Sequence, residues 1–484
     1  MTRIHTIAIL LPMLLFAAAA MGDEPTPSEL EQSGIVAMRA GEYQRAEEIF
    51  AELIVLRPDS FVGHYNKAAA HSMQGEIEPA IESISRAIGL GFMDRLQLER
   101  DPDLEALRET AFFDELMGQW GTLIEQRRTS DLETLKGLIR RNLEARTDEA
   151  FRLELLSAHD ETATDQAHEE LRLIAQWAQD ELFTGLRSFD LDDLPWIVVV
   201  LPDRAGFARW AIDTFGPGVR GSLSSVGGAY EHQQRRLVAQ DLGATLRHEF
   251  VHVLHWRDMN RLGQPHAPWI QEGLASLIED YDLRGGNPVP VPSWRTNIVK
   301  RMLDANRLPS IEQLSKIDMN DFTAKRPLAQ YAQARAVMLW LHQTGRLQAF
   351  YTHYTENISD DQSGYQSVLA VTRTEPDELE EQYRNWVRGL DSVPETGGDL
   401  DATLGIEIEN GSGDGVVVKA LPGNARTRTG LRLGSVITHI NARPTRDMFE
   451  LIRVLGDYAP GQTVTLHHRR GRIHSTSDVA LLGR

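Results

Sequence analysis

Two short stretches constrain this chain more than any other part of it: RHEFVHVLHW over residues 247–256 and WIQEGLASLIED over residues 269–280. His248 and His252 are four residues apart, so on a helix both project from one face about one turn apart and can share one ion. Glu249 follows the first histidine and reaches the open position of such an ion. Glu272 lies 20 residues after His252, in a second helical segment. The three side chains meet only if the two helices lie side by side. Two histidines and a glutamate make up the three protein ligands of a catalytic zinc and leave the fourth position to water. With no cysteine in the chain, a thiolate-ligated zinc, a thiol nucleophile and any disulfide are excluded.

The remaining sequence sets this pair of helices among other units. A chain of 484 residues, 42% of them hydrophobic, is long enough for roughly two to four domains with separate cores. Its net charge of −20, without a Lys/Arg-rich run, argues against nucleic acid as a partner. Residues 1–22 have a short basic start, an apolar run and then small residues, the pattern of a signal peptide. The uncharged stretch over residues 7–21 is short of the roughly 20 needed to span a bilayer, and no later segment is long enough. The expectation is an exported protein, periplasmic or secreted, with no transmembrane segment after signal cleavage; the lesser alternative is that the segment stays as an uncleaved anchor. An exported chain without disulfides fits a bacterial envelope.

MRAGEYQRAEEIF (residues 38–50) and SMQGEIEPAIESI (residues 72–84) repeat at a period of 34, aligning Gly41 with Gly75, Ala46 with Ala80 and Phe50 with Ile84. That period and pattern resemble the tetratricopeptide repeat, a helix pair stacked on its neighbours, which implies an all-α domain over residues 28–127 that binds protein partners. Helices within residues 101–126 would cap the stack. Residues 128–147 read as a charged helical connector. From residue 148 the pattern turns to mixed α and β: strands at FRLELLS and PWIVVVLP, a helix over residues 165–186, a strand or hairpin at GGAYEHQQRRLVAQ, then mostly helices to about Leu390. SVPETGGDLD, residues 392–401, reads as a linker.

Residues 402–484 hold short apolar runs between turn signals, with an amphipathic helix near residues 445–456. LGIEI and GLRLGSVITHINARP resemble a PDZ domain, with Ser435 where that family usually has Asp. The resemblance implies a mostly-β fold in which Leu404, Gly405 and Ile406 bind a peptide carboxylate beside an added strand. The central motif resembles the gluzincin clan of zinc peptidases, near its peptidase MA-like group. Trp269, Gly273 and Ala275 match the clan's W-x-x-E-G-x-A pattern, whereas His255 and Asp258 stand where a metzincin needs Gly and His. The resemblance implies an α+β, thermolysin-like zinc peptidase core over residues 148–391. One Zn2+ would be held by His248, His252 and Glu272, with Glu249 as the general base that activates water. Tyr331, 59 residues after Glu272 and opening YAQARAVMLWL, matches a tyrosine that donates to the oxyanion in aminopeptidase N-like enzymes, although Y-A-Q-A replaces their Y-x-K-G.

His255 shares a face with His252 and is expected to pack or support, not ligate. No spacing selects a role for His232 or His266. The expected function is a zinc peptidase whose tetratricopeptide and PDZ modules recruit protein or peptide substrates; the alternative is an inactive envelope adaptor using the same modules. No G-x-M-E-N-like element precedes the motif to hold a free amine, Glu231 offering that only weakly, so endopeptidase is favoured over aminopeptidase.

Overall fold

A computed structural model describes residues 25–139, 142–186, 195–221, 227–231 and 235–484; the signal-peptide expectation lies outside them. The chain is multidomain, a helical repeat followed by α+β regions. The helices Pro27–Ala40, Tyr43–Leu56, Phe61–Gln74 and Ile77–Gly89 form two antiparallel pairs. Gly41 and Gly75 end the first helix of each pair at φ 76° and 75°, a left-handed conformation that glycine adopts without steric cost. The repeat's glycines therefore serve to turn the chain, and the close helix packing comes from Ala46 and Ala80, both fully buried. Phe113, Trp120 and Ile124 pack against Tyr65 and Ile84 and close the stack.

The expected helical connector over 128–147 is only partly helical. The helix Trp120–Ile139 crosses into it, but β1 (Glu144–Asp148) has already begun before it ends. β1 pairs antiparallel with β2 (Leu153–Ser157), and this pairing overrides the charged, helix-like composition of EARTD. β2, β3 (Trp196–Val200) and β5 (Arg236–Ala239) run parallel, and β4 (Gly228–Glu231) closes the sheet antiparallel, in the order β1-β2-β3-β5-β4. β3 is buried on both faces, as a central parallel strand of β-branched residues should be. Val198 and Val200 face the main core, whereas Ile197 and Val199 join Leu135, Phe207 and Trp210 on the other side.

The motif helix, Ala244–Leu262, lies against the main face through Leu246, Phe250, Val253 and Leu254. Gly263 ends it at φ 66°, and Pro268 starts the glutamate helix, Pro268–Leu277, after a short turn. The hairpin β6 (Tyr281–Arg284) and β7 (Asn287–Pro290) follows, within a stretch expected to be mostly helical. The tyrosine helix, Pro327–Gln343, crosses the glutamate helix at Gly273, where a Cβ would stand 2.9 Å from the Ala334 carbonyl oxygen.

The segment expected as a linker is fastened down. Val393 bonds both ways with the Asn297 side chain, and Glu395 accepts from Arg301 at 2.6 Å. Beyond it, β8 (Ala402–Thr403), β9 (Glu407–Ser412), β10 (Gly415–Ala420), β11 (Val436–Ile440), β12 (Arg443–Pro444), β13 (Thr463–Arg470), β14 (Ile473–Ala480) and β15 (Leu482–Gly483) enclose a separate core with one longer helix, Met448–Leu455. The sheet order is β14-β13-β11-β10-β9, with β12 on β11 and β15 on β8.

Candidate metal centre

His248 and His252 emerge from one face of the motif helix and meet Glu272 from the glutamate helix. The two Nε2 atoms are 3.1 Å apart, and each is 3.3 Å from Glu272 Oε2. A tetrahedral ion with bonds of about 2.0–2.1 Å keeps its ligand atoms about 3.3–3.4 Å apart, so this triangle has the size and donor set of a zinc site. Glu272 Oε2 is buried without a hydrogen bond that satisfies it, a costly state for a carboxylate unless a cation faces it.

The histidine geometry is set by a residue that the sequence did not single out. Glu279 Oε1 accepts from His248 Nδ1 at 2.9 Å, which fixes the tautomer and turns the Nε2 lone pair toward the triangle. Arg295 grips the same carboxylate through Nε at 2.6 Å and Nη2 at 2.9 Å. Burial works against the charge on Glu279, but Arg295 and His248 outweigh it and bring its pKa down to about 2. Burial likewise opposes a charged His248, yet Glu272 and Glu279, the carboxylates beside its two ring nitrogens, carry its pKa up to about 10, so an ion bound there would displace the Nε2 proton to reach that lone pair. The centre favours positive charge. Glu272 is driven well below the usual carboxylate range, against its own burial, chiefly by His252 and His248.

Glu249 lies beside the triangle, its pKa raised by burial and only partly restrained by the two histidines. β4 passes directly over it: a Cβ on Gly228 would come within 2.6 Å of Glu249 Cγ. Tyr331 lies one turn into the tyrosine helix, not at its start as the sequence suggested, with its ring centroid 6.2 Å from that of His248. Burial first, then the Glu272 and Glu249 charges, push its phenol well above the usual range, so it stays protonated and able to donate. Arg335, one turn later and fully buried, donates to the Ser276 and Val291 carbonyls at 2.8 and 2.7 Å and ties the tyrosine helix to the end of the glutamate helix. Its i+4 spacing from Tyr331 was the available sequence signal.

His255 points away from the triangle, bonding His266 at 2.8 Å and stacking on Phe183. Burial holds both histidines below the usual range, His266 at about 3. His232 lies outside the described residues. One other group among the described residues brings ligand-type atoms together, Glu47, His71 and Glu76, but Lys67 is already 3.7 Å from Glu47.

In the C-terminal region Leu404 is buried and Gly405 takes φ 62°. The Gly405 N–H donates to Thr403 Oγ1 at 3.1 Å, and the Leu404 carbonyl accepts from Arg428. Ile406 packs at the edge of the core, ahead of β9, the outer strand of its sheet.

No known family profile matches the chain. It is 28% identical over 92 residues to a chloroplastic protein from Arabidopsis thaliana, covering 18% of this chain and 28% of that protein. It is 36% identical over 61 residues to "Tetratricopeptide repeat protein 36" from Homo sapiens, covering 13% of this chain and 32% of that protein. The chain thus spans about a third or less of the length of these relatives. Among solved structures, an aminopeptidase N family protein from Idiomarina loihiensis aligns over 71% of this chain and 67% of its own, at 13% identity and a TM-score of 0.30. A superposition this loose fixes neither fold nor function.

Proposed function

We propose that the chain is a zinc-dependent peptidase of the gluzincin type, with the ion held by His248, His252 and Glu272. The observation that carries this reading is the triangle of ligand atoms at 3.1 and 3.3 Å around a buried carboxylate oxygen left unsatisfied by hydrogen bonds. A zinc ion there supplies a Lewis acid and brings the pKa of water to about 7. Glu249, half-buried beside the triangle and with a raised pKa, would take the water's proton and return it to the leaving amine. Tyr331 donates to the oxygen on which negative charge develops. β4 ends its sheet beside Glu249, so an extended peptide can pair with it as an added strand, which suits cleavage within a chain.

In the same reading the first four helices are tetratricopeptide repeats and residues 402–484 a PDZ domain, and both recruit protein or peptide substrates. The protein acts in the bacterial envelope after export. The apolar start of the sequence supports this, and no helix among the described residues is long and apolar enough to cross a membrane.

Elemental analysis tests the site. One zinc per chain is expected in the wild type, with loss of the metal in His252→Ala. Glu249→Gln should retain the metal and lower turnover of unstructured peptides by about 10²–10⁴-fold, the loss typical of a missing general base. A wild type that holds zinc and cleaves nothing would instead favour the adaptor.

A further inference from the structure

Arg247 immediately precedes the first histidine of the motif and is 2% exposed. Its guanidinium donates to Glu170 Oε1 at 3.2 Å, to Glu450 Oε1 at 2.5 Å, and through Nε and Nη2 to the Glu279 backbone carbonyl at 3.1 and 2.6 Å. Glu450 belongs to the helix Met448–Leu455 of the C-terminal region, 203 residues away in sequence. Arg446 completes the group by binding Glu170 and the Leu242 carbonyl, and Tyr281 donates to Glu170 at 2.6 Å. Two arginines and two glutamates are thus sealed between the regions in balanced charge. Removing one partner from such a set leaves a buried charge uncompensated.

This cluster meets the metal centre at Glu279. Arg247 holds its backbone carbonyl, while its carboxylate holds His248 Nδ1. The same helix also reaches the Glu279 carboxylate indirectly. Phe449 stacks on Trp294 at 5.3 Å, and the Arg295 guanidinium lies 4.6 Å above the Trp294 ring while bonding the Glu279 carboxylate. Both supports of Glu279 therefore rest on neighbouring residues of one helix of the C-terminal region.

We propose that Glu450, acting through Arg247 and Glu279, is a positioning residue for the metal ligand His248, so that the C-terminal region completes the metal centre in addition to any peptide it recruits. The proposal rests on the zinc reading of His248, His252 and Glu272. A contact between the regions away from this path serves for comparison. His474 bonds Asp160 at 2.7 Å on the surface and provides the control.

The test uses the full-length chain, with chelator competition for zinc affinity and the visible absorption spectrum after cobalt substitution for ligand geometry. Glu450→Ala should lose about 10–100-fold in zinc affinity and shift the cobalt bands, as expected when the group orienting a ligand is disturbed. Glu450→Gln keeps an acceptor for Arg247 and should show a smaller loss. His474→Ala should bind zinc as the wild type does. Wild-type affinity and an unchanged cobalt spectrum in both Glu450 variants would overturn the proposal, and so would an equal loss in His474→Ala. If Glu450→Ala does not fold, Glu450→Gln against His474→Ala decides by the same criteria. A wild type that binds no zinc would remove the metal reading itself, a failure seen before any substitution is made.

Discussion

Glu279→Gln isolates the group that aims His248. The carboxylate is 5% exposed and takes bonds from His248 Nδ1 and twice from Arg295, at 2.6–2.9 Å. Its pKa, brought from 4.5 to about 2, corresponds to about 3 kcal/mol of preference for the charged form. Glutamine keeps the shape and one acceptor but removes that charge, so Arg295 and His248 compete for a neutral oxygen. The part of the loss felt at the metal should match that of other groups orienting a histidine ligand, about 10–100-fold in affinity, or roughly 1.4–2.7 kcal/mol. Chelator competition on purified protein measures it, and thermal unfolding of the metal-free form shows whether the fold survives. Zinc affinity within about twofold of wild type in a folded protein would refute the reasoning, because His248 would then be oriented by something other than Glu279.

Tyr331→Phe removes only the hydroxyl and should lower kcat by about 10²–10³-fold with little change in KM, measured by steady-state peptide cleavage; a lower melting temperature with unchanged kcat would make it a packing residue. Asp414, 3% exposed by its side chain and bonded to Arg469 and Ser412, has its pKa brought from 3.8 to about 2 against its own burial. A lowered carboxylate pKa stabilises the fold above the unfolded value and loses that contribution as pH falls from about 4 toward 2. Asp414→Asn should therefore cost about 2 kcal/mol at neutral pH and flatten the acid side of the stability curve in that window, read by denaturant titration at several pH values.

The meeting of His248, His252 and Glu272 was legible because each lies within a local pattern: two histidines four apart on one helix, and a glutamate inside a second helical run. β3 was legible from its β-branched run between prolines, and the repeat from its 34-residue period. β1 was not, since EARTD becomes a strand only through pairing with β2. The β6–β7 hairpin did carry a signal, the Gly285-Gly286 pair at φ 61° and 86°, which a two-residue turn requires, but helical spacing on either side obscured it. Glu279 stands just beyond the end of its helix, where no periodicity selects it. The partners of Arg247 lie 77, 32 and 203 residues away, and no local pattern records contacts at that range.

Gly413, at the tip between β9 and β10, bonds the Pro202 carbonyl through its N–H at 3.0 Å and accepts from the Leu242 N–H at 2.7 Å. A Cβ there would meet the Gln240 carbonyl oxygen at 2.9 Å. The C-terminal region is thus keyed into the central α+β region by its own backbone, and it cannot be exchanged as a cassette at residues 392–401. A recombinant carrying a foreign domain with any side chain at this tip would inherit a steric clash along with its new specificity. Lineages of this protein are therefore expected to transmit the two regions together.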